Sequence, residues 1–135
     1  MPQYDVGLIL MRQLASGLAV PMILFDAAGD LLFYNEAAAR LIGQPFEDVG
    51  DEMTLSGQRT VFALRDEKGQ PLPDDQVPLA VAMRERRPVH RMVWGRSFDG
   101  IDRLVEITAF PLLGGGGLLI GAVAMFWERK PERAG

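Results

Sequence analysis

The stretch of residues 17–43 constrains the fold more than any other part of the chain. Its sequence is GLAVPMILFDAAGDLLFYNEAAARLIG. Two apolar runs of strand length flank a turn in which Gly29 suits a positive φ angle. Asn35 follows the second run directly, and asparagine is a favoured helix N-cap because its side-chain oxygen accepts a hydrogen bond from an unpaired backbone N–H. The stretch therefore predicts a β-hairpin followed by a helix that begins after Asn35.

The composition limits the classes of function that the chain can perform. The chain has 135 residues and 48% hydrophobic content, which suits one domain with a single core. Its net charge of -4 argues against a nucleic-acid partner, because such partners require a basic face. The absence of cysteine excludes disulfides, thiolate metal sites, cysteine nucleophiles and cysteinyl cofactor adducts. This composition is compatible with a cytoplasmic location, which we expect.

Two apolar stretches have the hydrophobicity of membrane segments but lack the required pattern. Residues 6–11 follow Asp5 and have neither the basic region nor the cleavage site of a signal peptide. Residues 111–127 carry no charge, yet five of these seventeen residues are glycine. A turn followed by a buried strand explains this composition better than a spanning helix, which needs about twenty apolar residues. We therefore expect no membrane partner.

Hydrophobic periodicity and turn residues divide the rest of the chain into helices and strands. Apolar residues at helical spacing favour helices, whereas short alternating runs bounded by turn residues favour strands. These patterns predict an amphipathic leader helix over residues 4–18, short helical turns over 44–56, a strand over 60–64, a helix over 77–87 ended by Pro88, and strands over 89–96, 103–110 and 118–127. The order predicts an α+β fold in which an antiparallel sheet has helices on one face, plus the N-terminal helix.

Three segments in this order resemble the PAS superfamily, in particular the PAS domains of bacterial sensor kinases. The opening stretch matches the start of such domains. Residues 69–89 (GQPLPDDQVPLAVAMRERRPV) resemble the segment before the last three strands, and residues 105–113 (VEITAFPLL) with 117–126 (GLLIGAVAMF) resemble the closing hairpin. The resemblance implies a PAS fold with a five-stranded antiparallel sheet. We expect the PAS domain over residues 19–128, a leader or dimerisation helix over 1–18, and a tail or linker start over 129–135.

The resemblance also implies a sensor for signal transduction, as in two-component systems, and not an enzyme. PAS domains bind a small molecule between their helices and the inner face of the sheet, or bind nothing, and signal through dimerisation or partner contacts. A histidine kinase or another effector domain is the partner that this implies. The expected function is binding of a small apolar molecule. The alternative is a ligand-free dimerisation scaffold of a larger regulatory protein.

Strand alternation assigns the side chains that should face the pocket. Small residues at Ala109 and Gly121 leave space, and methionines form adaptable linings for apolar ligands. Tyr34 is similar in position to a chromophore-contacting tyrosine of photoactive yellow proteins, although its hydroxyl could instead bond a backbone carbonyl. A packed core without a ligand is the alternative for the whole set. The expected ligand-binding residues are Ile23, Phe25, Tyr34, Leu79, Met83, Ile107, Ala109, Gly121, Val123 and Met125, with Leu32 and Val105 on the same face.

The cofactors of known PAS domains find few matching residues, and the cofactor stays unknown. Covalent flavin photochemistry is excluded because the chain has no cysteine, and Val123 stands where the resemblance places a flavin-contacting glutamine. Haem is disfavoured because the helix over 77–87 has no histidine and His90 begins a strand. Acidic loop residues lack histidine neighbours, so we expect no metal site. Glu106 is a candidate general base, but alternation places it outward, and we expect no catalytic residue.

The last strand carries a second apolar row, which alternation places on the outer face of the sheet. A soluble monomer rarely exposes such a face, so we expect the leader helix to cover it and the same surfaces to form a homodimer. Ala124 belongs to this row. The expected interface residues are Val6, Leu10, Leu14, Ile120, Ala122 and Phe126.

The C-terminal end departs from the D-I-T-like triplet that many PAS domains place before an outgoing helix. The corresponding residues are apolar or aromatic, and Pro131 opposes a continuous helix. If the chain has its natural ends, we expect a stand-alone domain whose N-terminal helix transmits the signal. If it is an excised domain, which we favour, residues 128–135 are a linker to an effector.

Overall fold

The computed structural model describes residues 6–17, 19–45, 64–97 and 99–129. The helices and strands within these ranges are, in chain order, α1 (Val6–Ser16), β1 (Met22–Asp26), β2 (Leu31–Tyr34), α2 (Glu36–Ile42), α3 (Pro78–Glu85), β3 (Val89–Arg96), β4 (Asp102–Leu113) and β5 (Leu119–Glu128). Short 3-10 turns cover Asp74–Gln76 and Gly115–Gly117. The helical turns predicted over residues 44–56 and the strand predicted over 60–64 lie almost entirely outside the described residues.

The strands of the described residues form one antiparallel sheet in the order β2-β1-β5-β4-β3. β1 and β5 pair at its centre, where Ile23 lies opposite Ala124. The predicted α+β architecture with a five-stranded antiparallel sheet is confirmed. β3 occupies its predicted range, whereas β4 continues past Phe110 to Leu113. None of the helices in the described ranges has the length and apolar character needed to traverse a bilayer.

The first hairpin and helix follow from local sequence. The Asp26 carboxylate accepts hydrogen bonds from the backbone N–H groups of Ala28 and Asp30, both at 3.0 Å. Gly29 has φ +90° in this turn, as the sequence predicts. At the other end of α2, Gly43 adopts φ +96° and donates its N–H to the Ala39 carbonyl at 2.8 Å. Glycine reaches these left-handed conformations without a Cβ clash, so both turns are well defined.

Asn35 joins the sheet to α2 through one buried side chain. Its Oδ1 accepts hydrogen bonds from the N–H of Ala38 at 2.9 Å and of Met22 at 3.1 Å. Its Nδ2 donates to the Val20 carbonyl at 2.8 Å. The predicted N-cap is therefore confirmed, and the same amide also fixes the start of β1. This second role was not predicted from the sequence.

The sheet buries different side chains on its two faces. The inner face and the helices share the main core, to which β1 contributes Ile23 and Phe25 and β4 contributes Ile107 and Ala109. A smaller cluster on the outer face contains Met22, Leu24, Val123, and the partly buried Met11, Leu32, Phe33, Phe110, Leu112 and Met125. Both faces are therefore apolar over the central strands.

The predicted orientation of β5 is wrong. Ala122, Ala124 and Phe126 belong to the main core, whereas Val123 and Met125 belong to the outer cluster. The register explains this result, because Ala124 pairs with Ile23 and Ala109, and directly paired residues share a face. β5 is apolar at successive positions. Alternation therefore separates its residues into two sets but does not show which set faces the core.

The predicted orientation of Leu32 is also wrong, because it lies in the outer cluster while Leu31 enters the main core. The pairing of β1 with β2 shifts between Leu24 and Phe25, so that Phe25 lies opposite Leu31. Such a bulge changes the alternation of side chains relative to the neighbouring strand. Tyr34, beyond the bulge, occupies the inner face as predicted.

The leader helix α1 lies against the outer face of the sheet, but with other residues than predicted. Met11 packs against the outer cluster, and the Arg12 guanidinium lies 4.7 Å from the centre of the Phe33 ring. Leu10 and Leu14, which were expected to cover the sheet, are 59% and 54% exposed. The side chain of Val6 lies outside the described residues. The large apolar side chains of Leu10 and Leu14 are thus turned away from the sheet.

We expect Asn35→Ala to lower the free energy of unfolding by about 2–4 kcal/mol, because it removes a helix cap and leaves buried backbone groups unpaired. Asn35→Asp keeps both acceptor bonds but removes the donor to the Val20 carbonyl, so it separates the two roles. Urea unfolding followed by circular dichroism measures the change. Glu36→Ala at the exposed neighbouring position is the matched control, with an expected loss below about 1 kcal/mol. Equal effects of the changes at positions 35 and 36 would contradict this role.

Candidate functional site

A cavity of about 70 Å³ lies at one end of the inner face. It is bounded by the C-terminal end of α2, by β1, and by the last three strands. Most of its lining is aliphatic or aromatic, which suits the burial of an apolar group. The lining residues are Ile23, Leu41, Ile42, Leu64, Val93, Gly95, Arg96, Ser97, Arg103, Val105, Ile107, Ala124 and Phe126.

The polar lining is confined to the ends of β3 and β4 that meet at the Asp99-Gly100 turn. There Arg103 Nη1 donates to Ser97 Oγ at 2.7 Å, and Ser97 Oγ donates to the Leu41 carbonyl at 2.9 Å. Leu41 lies in the last turn of α2. These two bonds therefore connect the sheet to the helix across the edge of the cavity.

Arg103 is also close to two carboxylates. Its Nη1 and Nη2 lie 3.4–3.5 Å from the oxygens of Asp99, and its Nε lies 3.5 Å from Glu128 Oε1. The Ile101 N–H, and after it the Arg103 guanidinium, hold the pKa of Asp99 below its ordinary value. Arg103 itself is 18% exposed. It is a largely buried cation whose neutralisation comes from more exposed groups.

A second ion-pair cluster borders the same end of the cavity. Arg96 Nε donates to Asp102 at 2.9 Å, and Arg65 Nη2 lies 3.1 Å from the other oxygen of this carboxylate. These two guanidinium groups, Arg96 first, lower the pKa of Asp102. The Arg65 backbone also exchanges two hydrogen bonds with Trp94, at 2.8 and 2.9 Å. The edge strand β3 is therefore paired at this point by a segment outside the sheet.

The structure brings only part of the predicted ligand-binding set to the cavity. Ile23 and Ile107 line it, as does Val105 from the same predicted face. Phe25, Tyr34, Leu79 and Ala109 lie in the packed core and Met83 packs against it, so none of these five contributes to the cavity wall. A ligand in the described cavity would therefore not contact these five residues, although such contacts were expected.

The three predicted lining residues from β5 lie on the wrong side of the sheet. Val123 and Met125 belong to the outer cluster, and Gly121 shares their alternation. The lining from β5 consists instead of Ala124 and Phe126, which the sequence analysis had assigned to an outer dimer surface together with Ala122 and Ile120. Ala122 is fully buried in the core. Ala124 and Phe126 are buried there as well, so the prediction that these three residues form a dimer surface is wrong.

The Tyr34 hydroxyl donates a hydrogen bond of 2.6 Å to the Gln44 carbonyl. This is the alternative that the sequence analysis left open for the residue. The bond ties β2 to the segment after α2 and directs the hydroxyl to the backbone. Tyr34 therefore acts here as a buried structural tyrosine.

Ser97 and Arg103 were not predicted as site residues from the sequence. A signal for Arg103 was present, because it alternates with Val105, Ile107 and Ala109 and is the charged member of that inward row. Charged side chains are rarely buried without partners, so an inward arginine at a strand end indicates either an ion pair or a ligand. Ser97 had no comparable signal, since its importance depends on its contact with α2.

No group of three potential metal ligands occurs among the described residues. His90 is exposed on β3, where its ring contacts Thr108 Oγ1 at 2.8 Å and Glu106 at 3.7 Å. Glu106 lies also 3.6 Å from Arg129. Neither His90 nor Glu106 lines the cavity. The described part of the site therefore offers a haem or metal ion no ligand set.

The chain belongs to the PAS family. The sequence model described as the PAS fold matches residues 9–128. PAS domains are in general sensory and signalling modules without catalytic activity. The family assignment agrees with the antiparallel sheet and with a cavity between that sheet and a helix.

Solved structures support the same fold. The PAS domain of Bordetella pertussis BvgS is 20% identical, with a TM-score of 0.63 over 93% of this chain and 87% of that one. The PAS domain of the fruit-fly ELK potassium channel is 11% identical, with a TM-score of 0.71 over 92% and 98%. The LOV domain of a blue-light activated histidine kinase from Erythrobacter litoralis is 18% identical, with a TM-score of 0.63 over 82% and 96%. No curated protein matches the sequence.

The similarity to light-oxygen-voltage domains extends to the fold but not to the residues of flavin photochemistry. The chain has no cysteine to form an adduct. Val123, which the resemblance had aligned with a flavin-contacting glutamine, lies on the face opposite the cavity. The residues of this chain therefore cannot supply the covalent adduct chemistry of a flavin.

Proposed function

We propose that this domain is a sensor that binds a small molecule with an apolar body in the inner cavity and transmits binding through contacts with a partner. The observation that carries the proposal is the cavity itself, an apolar space between α2 and the sheet with a polar end formed by Ser97 and Arg103. Buried apolar surface would provide the affinity, and the polar end would orient the ligand. No chemical step is assigned to the protein.

The size of the cavity limits the ligand. An apolar cavity of about 150 Å³ accommodates benzene, and the space described here is about half of that volume. A ligand with a few carbon atoms therefore matches the site best. A larger ligand would require α2 to move away from β3, which would break the bond between Ser97 and the Leu41 carbonyl.

Binding would be transmitted through the same bond. A ligand that fills the space between α2 and the strands changes the distance that Ser97 has to bridge. An effector domain such as a histidine kinase is the partner that the family suggests, and the cytoplasm is the compartment in which we place it. The helix α1, on the outer face of the sheet, is the proposed route of output.

The alternative function, a dimerisation scaffold without a ligand, has an observation in its favour. α1 exposes Ile9, Leu10 and Leu14, each at least 48% accessible, while its opposite side contacts the sheet. A short helix that turns large apolar side chains away from its own core is typical of an interface. We propose that a second copy of the chain covers these residues, so that sensing and dimerisation coexist.

Ala124→Leu is expected to fill the cavity and abolish ligand binding while the fold remains. Leucine adds three carbon atoms at a cavity wall and should cost at most about 1–3 kcal/mol of stability. Ala109→Leu is the matched control, because Ala109 pairs with Ala124 but does not line the cavity. Thermal melting with and without small apolar probes measures both effects. If Ala124→Leu unfolds the domain as readily as Ala109→Leu, the space is part of the packed core and the sensor proposal fails.

Leu10→Glu combined with Leu14→Glu is expected to convert a dimer into a folded monomer, because each change places a charge in the apolar contact. Gln70→Glu combined with Gln76→Glu introduces the same two charges at exposed positions outside α1 and should leave the dimer intact. Light scattering coupled to size-exclusion chromatography gives the molar mass. A monomeric wild-type protein at high concentration would contradict the dimer, and so would a dimer that tolerates the double change.

A further inference from the structure

The cavity is apolar except at one end, and that end is cationic. Among the described residues, its polar side chains come from Arg96, Ser97 and Arg103. The Arg96 side chain is 56% exposed and has Asp102 as a close partner, whereas Arg103 is 18% exposed. Arg103 is therefore the charged group that a molecule inside the cavity would meet.

Arg103 has unused hydrogen-bonding capacity. A guanidinium carries five N–H donors, and its bonds to carboxylates usually measure about 2.7–2.9 Å. The bond to Ser97 Oγ has this length, but the oxygens of Asp99 and Glu128 lie 3.4–3.5 Å away. Nε is buried and has no hydrogen-bond partner within the described structure. The surrounding carboxylates thus neutralise the charge of Arg103 but do not satisfy all of its N–H donors.

The carboxylate of Asp99 is held more strongly by the backbone than by Arg103. Its Oδ1 accepts the Ile101 N–H at 3.0 Å, a shorter contact than any that it makes with Arg103. The Asp99 side chain is 43% exposed. If another anion occupied Arg103, Asp99 would keep its backbone bond and gain hydration, so its replacement costs little.

We propose that the cavity binds a small monocarboxylic acid whose carboxylate takes the place of Asp99 on Arg103. The apolar body of the acid would lie against Ile23, Ile107 and Phe126, which line the cavity. A planar carboxylate fits the fork of a guanidinium and accepts two N–H bonds at once. The inference rests on the proposed sensor function, since it names the chemical class of the ligand for the same site.

When the ligand carboxylate displaces the Asp99 carboxylate from Arg103, the structure around the turn would also change. Asp99 and Ile101 form the turn between β3 and β4, and Ser97 at the start of this turn is bonded to α2 through the Leu41 carbonyl. Arg103 contacts both Asp99 and Ser97. A carboxylate on Arg103 would therefore act on the turn and on α2 together.

The test compares acids with their uncharged amides by isothermal titration calorimetry. The probes are acetate with acetamide, propionate with propionamide, and butyrate with butyramide, which match the small volume of the cavity. We expect at least one acid to bind the wild-type protein 10-fold or more tightly than its amide. Arg103→Gln should lower the binding affinity for that acid by about 10- to 100-fold and leave the affinity for the amide unchanged, because it removes a charge-assisted pair. Arg103→Lys keeps the charge but not the fork, and should also lose affinity for the acid.

Arg87→Gln is the control, because it removes the same charge from an exposed residue that pairs with Glu85 outside the cavity. It should bind acids as the wild type does. Circular dichroism establishes whether each variant is folded. If Arg103→Gln does not fold, the affinity of Arg103→Lys for the acid decides whether Arg103 binds the carboxylate. Equal affinities for acid and amide would overturn the carboxylate inference alone, as would an acid preference that survives both changes at Arg103. Failure of every acid and every amide to bind would overturn the sensor proposal as well.

Discussion

Helix α2 is held at both ends by side-chain hydrogen bonds, and the cavity depends on this arrangement. At its N-terminus, Asn35 binds the Ala38 N–H and the first residue of β1 together. At its C-terminus, Ser97 binds the Leu41 carbonyl from the end of β3. A helix of this length is not stable alone, so its position is set by these contacts and by its buried side chains. The space between α2 and the sheet therefore depends on two side chains that are distant in sequence, together with the buried side chains of the helix.

The parts of the fold that depend on local chemistry could be predicted from the sequence. The hairpin turn at Gly29, the cap at Asn35 and the range of β3 follow from residue preferences within a few positions. The phase of β5 could not be predicted, because its two faces are both apolar and only the pairing of Ala124 with Ile23 and Ala109 distinguishes them. Because the two faces of β5 were assigned the wrong way round, Ala124 and Phe126 were not predicted to line the cavity.

The site was predicted only in part, for a related reason. Alternation along β4 correctly placed Val105 and Ile107 on the inner face. Arg103 belongs to the same alternating row but was not predicted, because only apolar residues were expected to line the cavity. The contact of Ser97 with α2 spans more than fifty residues of sequence and has no local pattern. The polar end of the cavity is therefore a property of tertiary structure.

Native mass spectrometry of gently purified protein tests most directly whether the inner cavity holds a small molecule, as we propose. A bound molecule adds its mass to the folded chain and is lost on denaturation. We expect such a non-covalent addition of low mass in the wild-type protein and its absence from the Ala124→Leu protein. A wild-type protein that carries only the mass of its polypeptide, before and after addition of the small acids, would contradict ligand binding and favour a ligand-free scaffold.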